Sequence, residues 1–154
     1  MHELIRTTTE DEYKIAATLF TEYANWLNID LCFQNFHEEL KQLKTMYGPP
    51  VGGIILAKKE EMFIGCIAVR KMKNDIAELK RMYVKPLYHH KGIGTSLLKE
   101  ALLLAQKIGY KKIQLDTLND MTSAMMLYKK NGFYEIPPYY FNPEKKAIYF
   151  EKIL

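Results

Sequence analysis

Apolar residues recur along this chain in two rhythms, one near-continuous and one with a helical period. From Gly52 to Ala57 and from Met62 to Val69 the apolar run is almost unbroken, and the charged Lys58 to Glu61 between them predicts a β-hairpin. Asn74-Asp75 marks a further turn and Ile76 to Val84 a third strand, so the three are expected to lie antiparallel in a meander. Helical rhythm is clearest from Thr95 to Ile108. There Leu97, Leu98, Ala101, Leu102, Ala105 and Ile108 keep a 3.6-residue stripe, and Gly109 closes it as a C-cap. Nearer the start, Ile15, Leu19, Tyr23 and Trp26 or Leu27 mark one face of a helix capped by Thr9 and running through Trp26. Thr9 followed by Glu12 has capping-box spacing.

Weaker signals fill in the rest. His2 to Thr7 alternates as a first strand, and Phe36 to Tyr47 reads as a short helix stopped by Gly48-Pro49-Pro50. Lys112 to Thr117 is a strand, Asp120 to Lys130 a helix ended by Asn131-Gly132, Phe133 to Ile136 a strand, and Ala147 to Ile153 a last strand. With no internal repeat or low-complexity tract, residues 1–154 are expected to form a single α/β domain. The aromatic and proline-rich stretch from Ile136 to Pro143 is a loop long enough to line a site.

Composition narrows the function classes. A chain of 154 residues buries roughly 70% of its unfolded surface and needs no disulfide. Cys32 and Cys66 lie in apolar surroundings without metal-ligand spacing, so they read as small buried hydrophobes of a reducing compartment. The polar, charged Met1 to Glu10 excludes a secretory apolar region, and no run approaches the ~20 residues of a membrane span. The expectation is a cytoplasmic protein with no membrane partner. The net charge of +4, from 22 basic and 18 acidic residues, is scattered; it suits an anionic ligand and does not argue for nucleic acid.

Two features point to chemistry. The turn His89-His90-Lys91-Gly92-Ile93-Gly94-Thr95 follows a strand and opens a helix, so free backbone N–H groups and the positive helix end converge as an anion site. Walker A spacing is absent and the Rossmann pattern incomplete, against an ATPase or a dinucleotide enzyme. Glu78, Lys80 and Arg81 also interrupt a strand that should be apolar if it lies in mid-sheet.

With those residues in view, the chain resembles the GNAT superfamily of N-acetyltransferases over nearly its whole length, most specifically from Glu78 to Phe133. The family's cofactor motif is Gln or Arg, two residues, Gly, one residue, then Gly or Ala, and it stands here as His89-His90-Lys91-Gly92-Ile93-Gly94, departing at His89. Asn119, Ala124, Tyr128, Lys130, Gly132 and Phe133 match a second motif, a helix carrying a tyrosine that turns into a strand at Gly-Phe. The resemblance implies a mixed, mostly antiparallel sheet flanked by helices and splayed between its fourth and fifth strands, Ile76 to Val84 and Lys112 to Thr117. Acetyl-coenzyme A would enter that splay as cosubstrate.

The same resemblance assigns roles. Backbone groups of Met82 and Val84 would bond the acetyl carbonyl and pantetheine arm. The N–H groups of Gly92, Ile93, Gly94 and Thr95 would hold the pyrophosphate, aided by Lys91, His89 and His90. Tyr128 stands where the family places its general acid, and a phenol suits a departing thiolate. Glu78, eleven residues before the cofactor motif, is the candidate base for an amine that arrives protonated. Asn119 matches a cofactor-touching position, though it also stands where a helix N-cap belongs. The acceptor, a small-molecule or peptide amine, would sit between the regions Trp26 to Phe36 and Ile136 to Asn142; Phe33, Phe36, Tyr139 and Tyr140 there either cage the amine or, the favoured reading, simply stack together, and Asp30 and Glu38 are candidate partners. No metal is expected at His89-His90, since adjacent turn residues rarely meet at one ion. By analogy the chain would form a homodimer through its last strand. A non-catalytic acyl-coenzyme A sensor is the alternative class.

Overall fold

The computed structural model describes residues 1–31 and 35–154. Strand β1 (Glu3–Arg6) leads to helix α1 (Glu10–Leu27), whose start is the capping box read from the sequence. Thr9 Oγ1 accepts from the Glu12 amide at 3.1 Å, and the Glu12 carboxylate accepts from the amides of Thr8 at 2.8 Å and Thr9 at 3.0 Å. The helix expected from Phe36 to Tyr47 is instead two, α2 (Phe36–Lys41) and α3 (Leu43–Tyr47). Gln42, at φ −127° and ψ 29°, breaks them apart. The change of direction lets Leu43 and Tyr47 enter the core while the Tyr47 hydroxyl returns to donate to Glu39 Oε2 at 3.0 Å.

The meander is present as β2 (Gly53–Lys59), β3 (Met62–Lys73) and β4 (Ile76–Val84), all antiparallel. Helix α4 (Ile93–Ile108) follows, then β5 (Lys112–Leu118), α5 (Thr122–Lys130), β6 (Tyr134–Ile136) and β7 (Ala147–Ile153). One seven-stranded sheet runs β1-β2-β3-β4-β5-β7-β6, so β7 is paired on both sides and β6 is the outer strand. Helices cover both faces. Leu97, Leu98, Ala101 and Ala105 of α4 anchor one core, joined by Tyr128 and Phe133; Leu19 and Phe20 of α1 and Tyr47 of α3 anchor the other.

Two irregularities place the site. Strands β4 and β5 run parallel but pair only at Ile76 with Lys112, Ala77 with Ile113 and Glu78 with Gln114. Beyond Glu78 they part, which is the splay expected between the fourth and fifth strands. On its other edge β4 carries a bulge: Cys66 faces Tyr83 and Ala68 faces Lys80, so Ile67 alone opposes Arg81 and Met82. Arg81 takes a left-handed φ of 58° there. The bulge reverses the strand's phase. Ala77 and Leu79 point into the α4 core, and strict alternation would send Arg81 and Tyr83 after them; instead Tyr83 joins the α1 core, and Met82 and Val84 pack on the α4 side.

Candidate active site

The glycine turn is built as an anion cradle. A 3-10 turn at Pro86–Tyr88 leads to His90 at φ 62° and Gly92 at φ 82°, and Gly92 caps α4 with no side chain of its own. The first helical bond runs from the Ser96 amide to the Gly92 carbonyl at 3.1 Å, so the amides of Ile93, Gly94 and Thr95 precede it and lack intrahelical acceptors. A Cβ on Gly92 would meet no atom within 4 Å, and one on Gly94 only Leu127 Cδ2 at 3.7 Å. The space in front of the turn is therefore open, and it belongs to a cleft of about 930 Å³ that reaches Met82.

Eight of the sequence-predicted residues line this cleft together: Met82, Val84, His89, His90, Gly92, Ile93, Gly94 and Thr95. Lys91 is exposed at its rim and is not part of the wall. His89 turns inward, its Nε2 2.7 Å from the Val84 carbonyl. A carbonyl can only accept, so Nε2 carries the proton and the ring braces the turn against the strand, with Trp26 edge-on at 5.9 Å. Asn119 is not brought to the cleft and is not the cap of α5. That position is Met121, which offers no capping side chain, while the Asn119 amide extends the β5–β7 ladder by donating to the Lys146 carbonyl at 2.8 Å.

A smaller cavity of about 60 Å³ lies within the splay and shares Met82, Met121 and Ala124 with the cleft. Tyr128, Lys80, Arg81, Asp116 and Thr117 line it. The Tyr128 hydroxyl lies 3.9 Å from the Met82 thioether. Burial, reinforced by Tyr23 and Asp116, pushes this phenol well above its ordinary range, so it stays a proton donor. Burial also depresses the Lys80 ammonium, with Glu78 opposing the fall and Arg81 adding to it. Glu78 stands just before the strands part and faces neither cavity. Its Oε1 accepts from Arg70 Nε at 2.8 Å and its Oε2 from the Tyr139 hydroxyl at 2.7 Å. Asp116, across the splay, accepts from the Tyr140 hydroxyl at 2.8 Å.

The donor set suits a nucleotide-derived cofactor: unpaired first-turn amides at a positive helix end for a pyrophosphate, then a parted pair of strands admitting a narrow arm. The chain matches the Acetyltransferase (GNAT) family over residues 14–133. It belongs to that family. Among relatives of this GNAT protein, an uncharacterized N-acetyltransferase of Schizosaccharomyces pombe is 37% identical over 141 residues, covering 90% of this chain and 85% of its own. A GNAT-family acetyltransferase of Staphylococcus aureus superposes with a TM-score of 0.82 at 22% identity, covering 99% of both chains. The PaiA N-acetyltransferase of Thermoplasma acidophilum, solved in complex with coenzyme A, superposes with a TM-score of 0.74 at 23% identity, covering 100% of this chain and 99% of that one.

Thr122 and Ser123 at the start of α5 also wall the cleft and were not legible as site residues; their only sequence signal was position at a helix terminus. Trp26 and Asn28, from the region expected to border the acceptor, wall the same cleft. On the acceptor side, Glu38 pairs with Lys41 at 3.6 Å on the surface rather than facing a ligand. Its neighbour Glu39 is the buried one, and Phe36 lies with its ring 5.2 Å from the Arg81 guanidinium. Phe33 and Cys32 lie outside the described residues. Cys66 is buried, as expected, and donates to the Arg81 carbonyl at 3.3 Å.

Proposed function

We propose that this GNAT protein transfers an acetyl group from acetyl-coenzyme A directly to a primary amine in a ternary complex. The observation that carries the reading is one continuous cleft: it opens at the unpaired amides of Ile93, Gly94 and Thr95 and ends where β4, bulged and parted from β5, sets Met82 beside Tyr128. Acetyl-coenzyme A supplies the activated acetyl thioester and a thiolate leaving group.

The chain's own groups divide the work. The amides from Gly92 to Thr95 hold the pyrophosphate, with charge from Lys91 at the rim and with the backbone of His90 completing the turn. His89 fixes that turn to Val84 rather than reaching a phosphate. Past Glu78 the β5-facing edge of β4 has no strand partner, so backbone groups of Met82, and the amide of Val84 beside the carbonyl that His89 holds, are available to the thioester carbonyl and the pantetheine arm. Tyr128 donates to the departing sulfur. The desolvation that raises its pKa raises that of a thiol in the same pocket, which keeps donor and acceptor matched. Glu78 receives the amine's proton by relay: the Tyr139 hydroxyl passes its own proton to the carboxylate it already bonds and takes the amine's proton in its place, so the phenol ends as it began. Asn119 contributes at most by anchoring the end of β5. Cys66, the thiol among the described residues, is buried and its pKa is raised by burial, so it offers no acyl-enzyme nucleophile.

A screen for thiol release from acetyl-coenzyme A against polyamines, amino acids, aminoglycosides and a lysine peptide tests the reading, with Tyr128→Phe alongside. The expected result is release with at least one amine, reduced tenfold or more in kcat by Tyr128→Phe. Binding of acetyl-coenzyme A by calorimetry with no release against any amine would instead make the chain an acyl-coenzyme A sensor, and unchanged kcat in Tyr128→Phe would remove the phenol from the mechanism.

A further inference from the structure

One buried ion pair of the described structure is used by neither the cofactor turn nor the proton path. Glu39 of α2 and Arg81 of β4 are 2% and 6% exposed, and they meet as a fork: Arg81 Nη2 to Glu39 Oε1 at 2.7 Å and Arg81 Nε to Glu39 Oε2 at 3.0 Å. Tyr47 donates to the same Oε2, and the Phe36 ring covers the guanidinium. Burial pushes the Glu39 carboxyl up, but the Arg81 hydrogen bonds and charge outweigh it and hold the carboxyl below the usual carboxylate range. The pair is thus ionised. A buried ion pair is in general no better for stability than apolar residues of the same volume, so its presence calls for another account.

Geometry supplies one. Arg81 is the residue at which β4 changes phase, and it does so in the left-handed region, a conformation that L side chains other than Asn and Asp seldom adopt. Lys80 and Arg81 line the same cavity in succession, and only after them do Met82 and Val84 turn to the α4 side. Were β4 to alternate regularly, the guanidinium would enter the apolar α4 core and Met82 would turn away from Tyr128. The fork to Glu39 forbids that register, because it holds the Arg81 side chain on the face where α2 and α3 pack. The Cys66 thiol secures the Arg81 carbonyl from the neighbouring strand.

We propose that Glu39 is a positioning residue: by clamping Arg81 it fixes the β4 bulge, and the bulge aims Met82 and its backbone at the reacting thioester. The inference rests on the acetyltransferase reading. It also makes α2, a helix of the acceptor side, a structural determinant of the acyl site on the opposite face of the strand.

Three measurements test it: coenzyme A affinity by calorimetry, kcat by thiol release, and the carbonyl stretch of bound acetyl-coenzyme A by difference infrared spectroscopy with a 13C-labelled carbonyl. In the wild type the stretch is expected to shift to lower frequency on binding. In Glu39→Gln the affinity should stay within about twofold while kcat falls at least tenfold and the frequency shift is lost, because the pyrophosphate turn lies on α4 and not on the clamp. The double variant Glu39→Leu/Arg81→Met replaces the pair by apolar groups; it should melt no lower than the wild type yet keep the low kcat and the unshifted carbonyl. That combination separates positioning from stability, and it carries the test if Glu39→Gln fails to fold. A folded double variant with wild-type kcat and a shifted carbonyl overturns the inference and leaves the acetyltransferase reading standing. A wild-type protein that does not bind acetyl-coenzyme A overturns both.

Discussion

Gly92 and Gly94 stand two positions apart in one turn, yet a small residue serves each position for a different physical reason. Gly92 sits at φ 82°, where a Cβ is strained by roughly 1–2 kcal/mol even with no atom near it. Gly94 is already helical, and a Cβ there makes an ordinary contact with Leu127 while projecting toward the cleft. Gly94→Ala, the residue the family motif also admits there, should therefore keep or slightly raise the melting temperature and bind coenzyme A as the wild type does, whereas the bulky Gly94→Leu should weaken binding by tenfold or more in a calorimetric titration. A wild-type affinity in Gly94→Leu would move the pyrophosphate elsewhere. The glycines were legible in the sequence because their chemistry is local: a strand, a turn and a helix start lie within a few residues. Glu39 was not, because it stands beside Glu38 with the same side chain, and only the break at Gln42 and a partner far along the chain decide which of the two is buried.

Elements were readable where one signal repeated or two signals agreed. The apolar runs of β2, β3 and β4 fixed the meander, and Thr9 with Glu12 fixed the start of α1. Because the capping box lies at the far end of α1 from the cleft wall at Trp26, it can be perturbed separately from the site. Thr9→Ala should cost about 1 kcal/mol, seen as a melting temperature lower by about 2–4 °C, with kcat unchanged. The misread elements had conflicting signals. Asn119 looks like a cap, but β5 runs to Leu118 and its ladder continues through the Asn119 amide, so α5 starts two residues later than that cue suggests. The break between α2 and α3 carries no glycine or proline; it follows from packing Tyr47 back onto Glu39, which no local pattern announces.

At the scale of the whole molecule, the splay was legible only through the family resemblance, since periodicity alone says nothing of where two strands stop pairing. The net charge of +4 likewise says little about behaviour with pH, because what matters is how folding changes individual groups. Among the described residues three carboxyls are lowered on folding: Glu12 by the amides of Thr8 and Thr9, and Glu39 and Glu151 because their partners outweigh burial, Arg81 for the first, Tyr134 and Gln114 for the second. The unfolded chain takes up protons at these sites near the ordinary value of about 4.3, while the folded chain resists until lower pH. Their stabilisation is therefore complete above that value and drains away as the pH falls through the folded values. Phenols act in the opposite sense. Burial raises Tyr128, Tyr139 and Tyr140, and pushes Tyr23 up to about 12, so their contribution is complete below the unfolded value of about 10 and is lost as pH rises beyond it. Urea midpoints measured across the pH range should thus trace a plateau with an acid edge beginning near pH 4 and an alkaline edge beginning near pH 10. Glu39→Gln should flatten the acid edge and leave the alkaline one in place; an acid edge of unchanged steepness would mean that Glu39 is not held ionised by Arg81 in the folded chain.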